Sequence, residues 1–277
     1  MSVGIVATYP WQAILSLGIE GPPCAFIITD SRVSFKVGEK YVPNDHLQLS
    51  KQRVFSDNLI ICYTSVNLYV TTRALDIAEN ASAKPSVKRI GEYLKQEHEQ
   101  YGGLTELLAV VWQANSPVPQ LLELMHPDYV PKPRQGIVGI GDRYVLERFK
   151  ELFQNPPPSA LQLVESAELA KNHPKLFENL PSGAIQIDSF EKQTVAEIGA
   201  ALTQAVEEAN SDTVGYPLEI NSLSKQGLVP INISIRRKDI GTWERVSAES
   251  KDLSLPSNPP QHSERQKGRT SAVQLIP

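Results

Sequence analysis

Short apolar runs joined by turn residues alternate with longer segments of helical spacing along most of the chain. This pattern predicts hairpins before, between and after two groups of helices. Strands joined by tight turns pair antiparallel, whereas parallel strands need a long crossover connection. The order therefore favours an α+β fold, in which two antiparallel sheets pack face to face with helices outside them, over a parallel α/β sheet.

The predicted strands form four hairpins and one separate strand that enters a helix. The hairpins pair residues 13–20 with 24–30, 54–55 with 59–63, 107–114 with 120–125, and 218–223 with 228–235, and the separate strand covers 136–140. Helices are predicted where apolar residues recur every three or four positions. They cover residues 68–80, 87–101 with Ser86 as the N-cap, 142–153, 159–171 and 194–210.

Charge and composition exclude several classes of protein. The chain of 277 residues carries a net charge of -4, which gives no electrostatic case for a nucleic-acid or membrane-surface partner. Cys24 and Cys62 are too few for a disulfide scaffold or a thiolate metal site. No window reaches the roughly 18 apolar residues of a membrane span, and no secretion signal is predicted. We therefore expect a cytoplasmic protein.

Composition changes once, near the C-terminal end. Residues 247–277 are rich in Ser, Pro and charged side chains and poor in large apolar ones. Such a segment buries too little surface to offset its ordering entropy. The sequence thus predicts one folded domain over residues 1–246 and a disordered tail over 247–277.

No metal or cofactor site is predicted. The five histidines are scattered without metal-ligand spacing, and His98 is expected to be a solvated side chain on a helix surface. The glycines Gly136, Gly139 and Gly141 lie between a strand and a helix, but they are not in the first strand of a βαβ repeat. Their spacing indicates a tight strand-to-helix turn rather than a dinucleotide loop.

Polar residues cluster where predicted strands and helices end. Asp30-Ser31-Arg32 follows a very apolar strand, and Lys51 precedes the next hairpin. Ser211-Asp212-Thr213-Val214-Gly215 joins the last long helix to the final hairpin. Taken singly, these residues are typical of a turn aspartate, a surface lysine and a helix end.

Together, and in this order, these motifs resemble the proteasome β-subunit family, including the bacterial ancestral β-subunit (Anbu) type. The family's Asp-Ser-Arg turn is matched at residues 30–32, its active-site lysine by Lys51, its strand-Gly-x-Gly-helix element at 138–144, and its segment after the long helix at 211–215. The resemblance spans about residues 13–235. It implies the fold of the N-terminal nucleophile (Ntn) hydrolases, a four-layer αββα sandwich.

The resemblance also implies hydrolysis of a peptide or amide bond by an N-terminal hydroxyl residue, as in the threonine proteases. The family's spacing places that nucleophile near residues 12–14, where no Thr, Ser or Cys stands. Ser2 is the candidate instead, exposed by removal of Met1, with the residues around Tyr9-Pro10-Trp11 bulging out. Thr8 is a weaker candidate, since it requires cleavage after Ala7.

The remaining roles follow from the same resemblance. Asp30 would orient Lys51, which would lower the pKa of the nucleophile. Asp212 and Thr213 would support the terminal amine. The backbone N–H of Ser65 or its neighbour would hold the oxyanion, where the family has a glycine.

Two alternatives remain open at this point. A non-catalytic proteasome-like structural or assembly subunit would keep the sandwich without a nucleophile, and Asp30 and Lys51 would then be a structural ion pair. An Ntn amidase for a small molecule would use the same residues and differ only in pocket shape. For any of them the resemblance implies a homo-oligomer, either a ring or a helical stack. For an active assembly it implies an ATP-dependent unfoldase as a candidate partner.

Overall fold

Most of the chain before residue 248 is described by the computed structural model. The described residues are 2–8, 24–81, 85–116, 118–153, 172, 187–224, 227–239 and 242–247. None of the helices formed by these residues is long and apolar enough to cross a membrane.

Within the described residues the chain forms thirteen strands and four helices. The strands are β1 (Val3–Thr8), β2 (Cys24–Asp30), β3 (Arg32–Val37), β4 (Lys40–Gln48), β5 (Gln52–Ser56), β6 (Leu59–Ser65), β7 (Thr105–Val111), β8 (Gln120–Met125), β9 (Lys132–Arg134), β10 (Ile137–Gly141), β11 (Leu218–Ser224), β12 (Gly227–Asp239) and β13 (Thr242–Ser247). The helices are α1 (Leu68–Ala81), α2 (Val87–Tyr101), α3 (Arg143–Leu152) and α4 (Ile187–Ala209).

Two large antiparallel sheets and one two-stranded ribbon contain all of these strands. The first sheet has six strands in the order β10-β1-β2-β11-β12-β13, and the second has five in the order β5-β6-β7-β8-β9. Strands β3 and β4 form the ribbon, which leaves the first sheet at the end of β2.

Alternation along the strands shows how the sheets stack. On β2, Phe26 and Ile28 pack in one apolar cluster with α3 and α4, whereas Ile27 packs in another with residues of β6 and β7. On β6, Ile60 joins that middle cluster, and Ile61 faces a third cluster with α1 and α2. Because successive side chains point to opposite faces of a sheet, the two sheets face each other and each carries helices outside. The predicted α+β fold of four layers, αββα, is confirmed.

The first predicted hairpin is wrong in its pairing. Strand β2 pairs on one side with β1, in a register that places Gly4 opposite Thr29, and on its other side with β11. Both of its edges are therefore occupied by strands other than residues 13–20, which lie outside the described residues. Strand β1 was not predicted, because its partners β2 and β10 are separated from it by long stretches of sequence and no hairpin pattern identifies it.

The other hairpins and four of the five predicted helices are present. The helix predicted at 159–171 lies outside the described residues, as do positions 248–277 of the predicted tail; Ser247 itself ends β13. The ribbon β3–β4 was not predicted, although Val33, Phe35 and Val37 alternate with polar residues as in a strand. Val33 is buried, whereas Phe35 is 52% exposed and Val37 is 64% exposed, so the apolar side of β3 is largely open to solvent.

The expectation for His98 is also wrong. It lies in the last turn of α2 but is only 6% exposed. Both ring nitrogens have partners, since Nδ1 is 3.1 Å from the carbonyl oxygen of Gly102 and Nε2 is 2.7 Å from the hydroxyl of Thr105. The glutamates on either side in sequence suggested a solvated position, but they project in other directions from the helix.

Candidate active site

Asp30 and Lys51 form a buried ion pair at the end of β2. Lys51 Nζ donates to Asp30 Oδ2 at 2.8 Å and to the carbonyl oxygen of Arg32 at 2.6 Å. The side chains of the pair are 0% and 4% exposed respectively. An ammonium group has three donors, so one N–H of Lys51 remains for another acceptor.

The other oxygen of Asp30 holds the start of β1. The N–H of Val3 donates to Asp30 Oδ1 at 2.8 Å. On the opposite side of the same peptide group, the carbonyl oxygen of Ser2 accepts a bond from the N–H of Asp142, also at 2.8 Å. The peptide group that joins Ser2 to Val3 is therefore fixed at both of its polar atoms.

Strand pairing brings Ser2 to this position. Strand β1 lies between β2 and β10, and Val3 is paired with Gly141 at the end of β10. Gly141 has a φ of +99°, and a Cβ at this residue would lie 1.8 Å from the carbonyl oxygen of Ser2. Only glycine fits both the backbone conformation and the close approach.

Gly141 is held in turn by a carboxylate of the second sheet. Its N–H donates to Glu106 Oε2 at 2.6 Å. Glu106 lies on β7, opposite Thr64 of β6. This bond links the two sheets next to Ser2.

A surface cavity opens over these groups. It is lined by Ser2, Arg32, Val33, Ser34, Tyr41, Lys51, Tyr63, Ser65, Val66, Leu68 and Thr213. Four of the predicted site residues thus meet around one space: Ser2, Lys51, Ser65 and Thr213. Asp30 lies buried behind Lys51.

The carboxylate that contacts Thr213 is Asp142 and not the predicted Asp212. Asp142 Oδ2 accepts bonds from the hydroxyls of Ser211 at 2.7 Å and of Thr213 at 3.0 Å. Asp212 is exposed and does not line the cavity, and its backbone carbonyl accepts a bond from Ser34. Asp212 lies between Ser211 and Thr213 in the sequence, but the hydroxyls of those two residues bond to Asp142 instead.

Asp142 also begins α3. As the N-cap, its Oδ1 accepts bonds from the N–H groups of Tyr144 and Val145. Burial raises the pKa of this carboxyl, but the bonds from Ser211, Thr213 and the two backbone N–H groups outweigh burial and leave the pKa below its ordinary value. Asp142 is therefore a stable negative charge beside the cavity at neutral pH.

The N–H of Ser65 points away from β7. Along a strand, N–H groups two residues apart point to the same side. The N–H of Tyr63 bonds to the carbonyl of Lys51, and that of Val66 bonds on the other side to Leu104. The N–H of Ser65 therefore points to the side of β6 on which Lys51 lies, just before β5 begins. This is the direction expected of the predicted oxyanion donor.

Burial disfavours the charged form of both members of the ion pair. It raises the pKa of Asp30, which Lys51 and the N–H groups of Val3 and Gly215 oppose. It lowers the pKa of Lys51, which the charge of Asp30 opposes. Each charge is therefore stable only because the other is beside it.

Sequence reasoning missed Asp142 and Glu106 as site residues. Asp142 could have been found, because an aspartate directly after a strand-Gly-x-Gly turn is typical of a helix N-cap. Glu106 gave no such signal, since its contact with Gly141 depends on how the two sheets pack. Among the described residues, no three His, Cys, Asp or Glu side chains are grouped closely enough to hold a metal ion.

Solved structures similar to this one cover nearly the whole chain. The Anbu (Gly-1) mutant from Hyphomicrobium sp. strain MC1 matches 91% of this chain and 89% of that one, with a TM-score of 0.51 and 9% sequence identity. Anbu (ancestral beta-subunit) from Yersinia bercovieri matches over 89% and 87%, with a TM-score of 0.50 and 10% identity. No protein-family model and no curated protein matches the sequence. The chain has an Anbu-like, proteasome-related fold, as the resemblance predicted.

Removing one partner of the ion pair should destabilise the fold strongly. Lys51→Met leaves the Asp30 carboxylate buried without its counter-charge, and we expect the free energy of unfolding at pH 7 to fall by about 3–5 kcal/mol. The double variant Asp30→Asn/Lys51→Met should lose clearly less, because Asn carries no charge. Lys95→Met, which removes an exposed pair with Glu99, should change the free energy of unfolding by less than about 1 kcal/mol. Urea unfolding measures all three.

The deficit of Lys51→Met should also depend on pH. Without Lys51, burial holds the folded pKa of Asp30 above its unfolded value, so the folded protein takes up a proton more readily. The deficit is then largest at neutral pH and shrinks as the pH falls through the folded pKa. A deficit that is constant with pH, or a double variant no more stable than Lys51→Met, would contradict the account of this pair.

Proposed function

We propose that this protein is an Ntn hydrolase of the proteasome-like kind, in which Ser2 cleaves peptide or amide bonds. The observation that carries the proposal is the fixed peptide group between Ser2 and Val3, held by Asp30 and by the N–H of Asp142. It holds Ser2 at an open cavity that the buried Lys51 also lines. A purely structural ion pair gives no reason for a serine to be held there.

The nucleophile requires that the chain be cleaved on the N-terminal side of Ser2. The free α-amine then takes the proton of the Ser2 hydroxyl as Oγ attacks the substrate carbonyl carbon. Lys51 lies at the same cavity, and its positive charge favours the deprotonated hydroxyl. Asp30 keeps Lys51 charged and in place.

The tetrahedral oxyanion would accept a bond from the N–H of Ser65, an interaction worth about 3–4 kcal/mol for one strong donor. The α-ammonium then returns its proton to the leaving amine as the carbon–nitrogen bond breaks. This leaves an ester between Ser2 Oγ and the acyl group. Water then attacks the acyl carbon while the α-amine takes its proton, and the α-ammonium returns that proton to Ser2 Oγ as the carbon–oxygen bond of the ester breaks.

Asp142 takes the role that the sequence motif assigned to Asp212. Its charge is held in place by Ser211 and Thr213, and Thr213 lines the cavity together with Ser2. A carboxylate here stabilises the α-ammonium that forms during attack. Thr213 and Ser211 orient that carboxylate.

The resemblance to the proteasome β-subunits also supports a homo-oligomer, as a ring or a helical stack. The ribbon β3–β4 lines the cavity with Val33, Ser34 and Tyr41 and exposes Phe35 and Val37. Apolar exposure of this kind is typical of a surface that another chain covers. An ATP-dependent unfoldase would supply protein substrates to such an assembly.

Ser2 should be the residue that an electrophile modifies. Intact-mass spectrometry after treatment with a β-lactone should show a chain that begins at Ser2 and carries one adduct, mapped to Ser2 by fragmentation. Ser2→Ala should not be modified. Ser56→Ala, in which a serine outside the cavity is changed, should react like the unaltered protein. A chain that keeps Met1 and remains unmodified would contradict the mechanism and favour a structural subunit.

Hydrolysis should depend on Lys51. Lys51→Ala should lower the rate of peptide or amide hydrolysis by at least about 100-fold, because the nucleophile loses the charge that favours its deprotonation. Lys51→Ala also leaves Asp30 without its counter-charge, so its rate should be measured on the intact oligomer isolated by size-exclusion chromatography. Lys51→Arg keeps a positive charge beside Asp30, so it should retain more activity than Lys51→Ala, and it controls for loss of folding. An active Lys51→Ala protein would remove this mechanism.

A further inference from the structure

A row of hydroxyl groups runs from the cavity into the interior of the protein. Ser65 Oγ is 2.7 Å from Thr71 Oγ1, and Thr71 Oγ1 is 2.5 Å from Thr105 Oγ1. Thr105 Oγ1 is in turn 2.7 Å from His98 Nε2. We call Ser65, Thr71 and Thr105 the hydroxyl chain. It connects the end of β6, helix α1 and the start of β7 to His98 on α2.

The hydroxyl chain is closed to solvent except at its cavity end. Thr71 and Thr105 are both 0% exposed, and His98 is 6% exposed. Ser65 alone among the three hydroxyl residues lines the cavity. Buried hydroxyls have few alternative partners, so the direction of each hydrogen bond depends on its neighbours.

His98 determines which way the protons of the chain point. Its Nδ1 faces the carbonyl oxygen of Gly102, which can only accept, so Nδ1 carries the proton of the neutral ring. Nε2 then has only a lone pair and must accept the proton of Thr105. Thr105 consequently accepts from Thr71 across their 2.5 Å contact.

The same reasoning continues to the cavity. The single proton of the Thr71 hydroxyl is donated to Thr105. The 2.7 Å contact between Thr71 and Ser65 is therefore a hydrogen bond only if Ser65 is the donor. The Ser65 proton therefore points inward. Two carbonyl groups offer weaker alternatives: that of Asn67 is 3.2 Å from Thr71 Oγ1, and that of Leu104 is 3.3 Å from Ser65 Oγ.

We propose that neutral His98 is a positioning residue for the proposed active site, acting through the hydroxyl chain on Ser65. With its proton held inward, Ser65 Oγ offers only lone pairs to the cavity and accepts an N–H group of a peptide or amide substrate. When His98 is protonated, Nε2 becomes a donor to Thr105, and Thr71 can turn its proton to Asn67. Ser65 is then no longer held in one orientation. This inference rests on the proposed function for its catalytic consequence.

The surroundings of His98 favour the neutral ring. Burial lowers the pKa of His98, and the nearby His126 acts in the same direction, while the Gly102 carbonyl and Glu97 oppose them. Tyr129 stacks on the imidazole with ring centroids 5.6 Å apart. Glu97 is paired with Arg73 of α1 at 3.0 Å. The hydroxyl chain is therefore ordered at neutral pH, and it loses this order as the pH falls through the lowered pKa of His98.

Nuclear magnetic resonance tests the coupling without any need for catalysis. The amide resonance of Ser65 should shift with pH at the pKa of the His98 imidazole. In Thr71→Val, which keeps the shape but removes the middle hydroxyl, His98 should still titrate and the Ser65 amide should lose that inflection. His126→Gln, which changes an exposed histidine near Tyr129, should keep it. A Ser65 amide resonance that does not shift at the pKa of His98 would overturn the inference. So would a shift of the same size in Thr71→Val.

The rate at which Ser2 reacts with a β-lactone that carries an amide N–H tests the catalytic consequence, because Ser65 Oγ is proposed to accept that N–H. In the unaltered protein this rate should fall at the pH where His98 becomes protonated, and that fall should disappear in both Thr71→Val and His98→Gln. If Ser2 reacts but its rate does not fall at the pKa of His98, the positioning role is contradicted and the proposed function stands. Failure of Ser2 to react at any pH, with the amide coupling intact, contradicts the proposed function and leaves only the coupling.

Discussion

The carboxylate of Asp30 connects the ion pair, the start of the chain and the cavity. One oxygen binds Lys51 and the other binds the N–H of Val3, so a single buried side chain fixes both the cation and the residue beside it. A buried carboxylate needs such partners, because leaving either oxygen unmet in an apolar interior costs several kcal/mol. The position of Ser2 relative to Lys51 is consequently set by the same bonds that make the site stable.

The fold provides three further supports around this pair. Pairing of β1 with β10 brings the carbonyl of Ser2 to the N–H of Asp142, and Gly141 leaves room for that approach. The helix that begins at Asp142 holds a second carboxylate beside the cavity. The hydroxyl chain approaches from the opposite sheet, so the two sheets contribute different parts of one site. Stacking of the sheets is therefore a condition for the proposed chemistry as well as for the core.

Much of the fold could be predicted from the sequence, because hairpins and helix pairs leave local patterns. The partner of β2 could not, since β1 and β2 are joined through residues 9–23 and only their pairing identifies them as neighbours. The motif order indicated Asp30, Lys51, Ser65 and Thr213, and these residues do lie together. It led to Asp212 in place of Asp142, and to a solvated His98, because spacing along a chain does not report which side chains turn inward.

In the proposed mechanism Ser2, held by Asp30 and Asp142, is a nucleophile served by Lys51 and the N–H of Ser65. A crystal structure of the protein after reaction with a β-lactone tests all of these contacts at once. We expect continuous electron density from Ser2 Oγ to the acyl group, with the acyl carbonyl oxygen within hydrogen-bond distance of the Ser65 N–H and Lys51 still paired with Asp30. An acyl group attached to another residue, or a Ser2 turned away from Lys51, would contradict it.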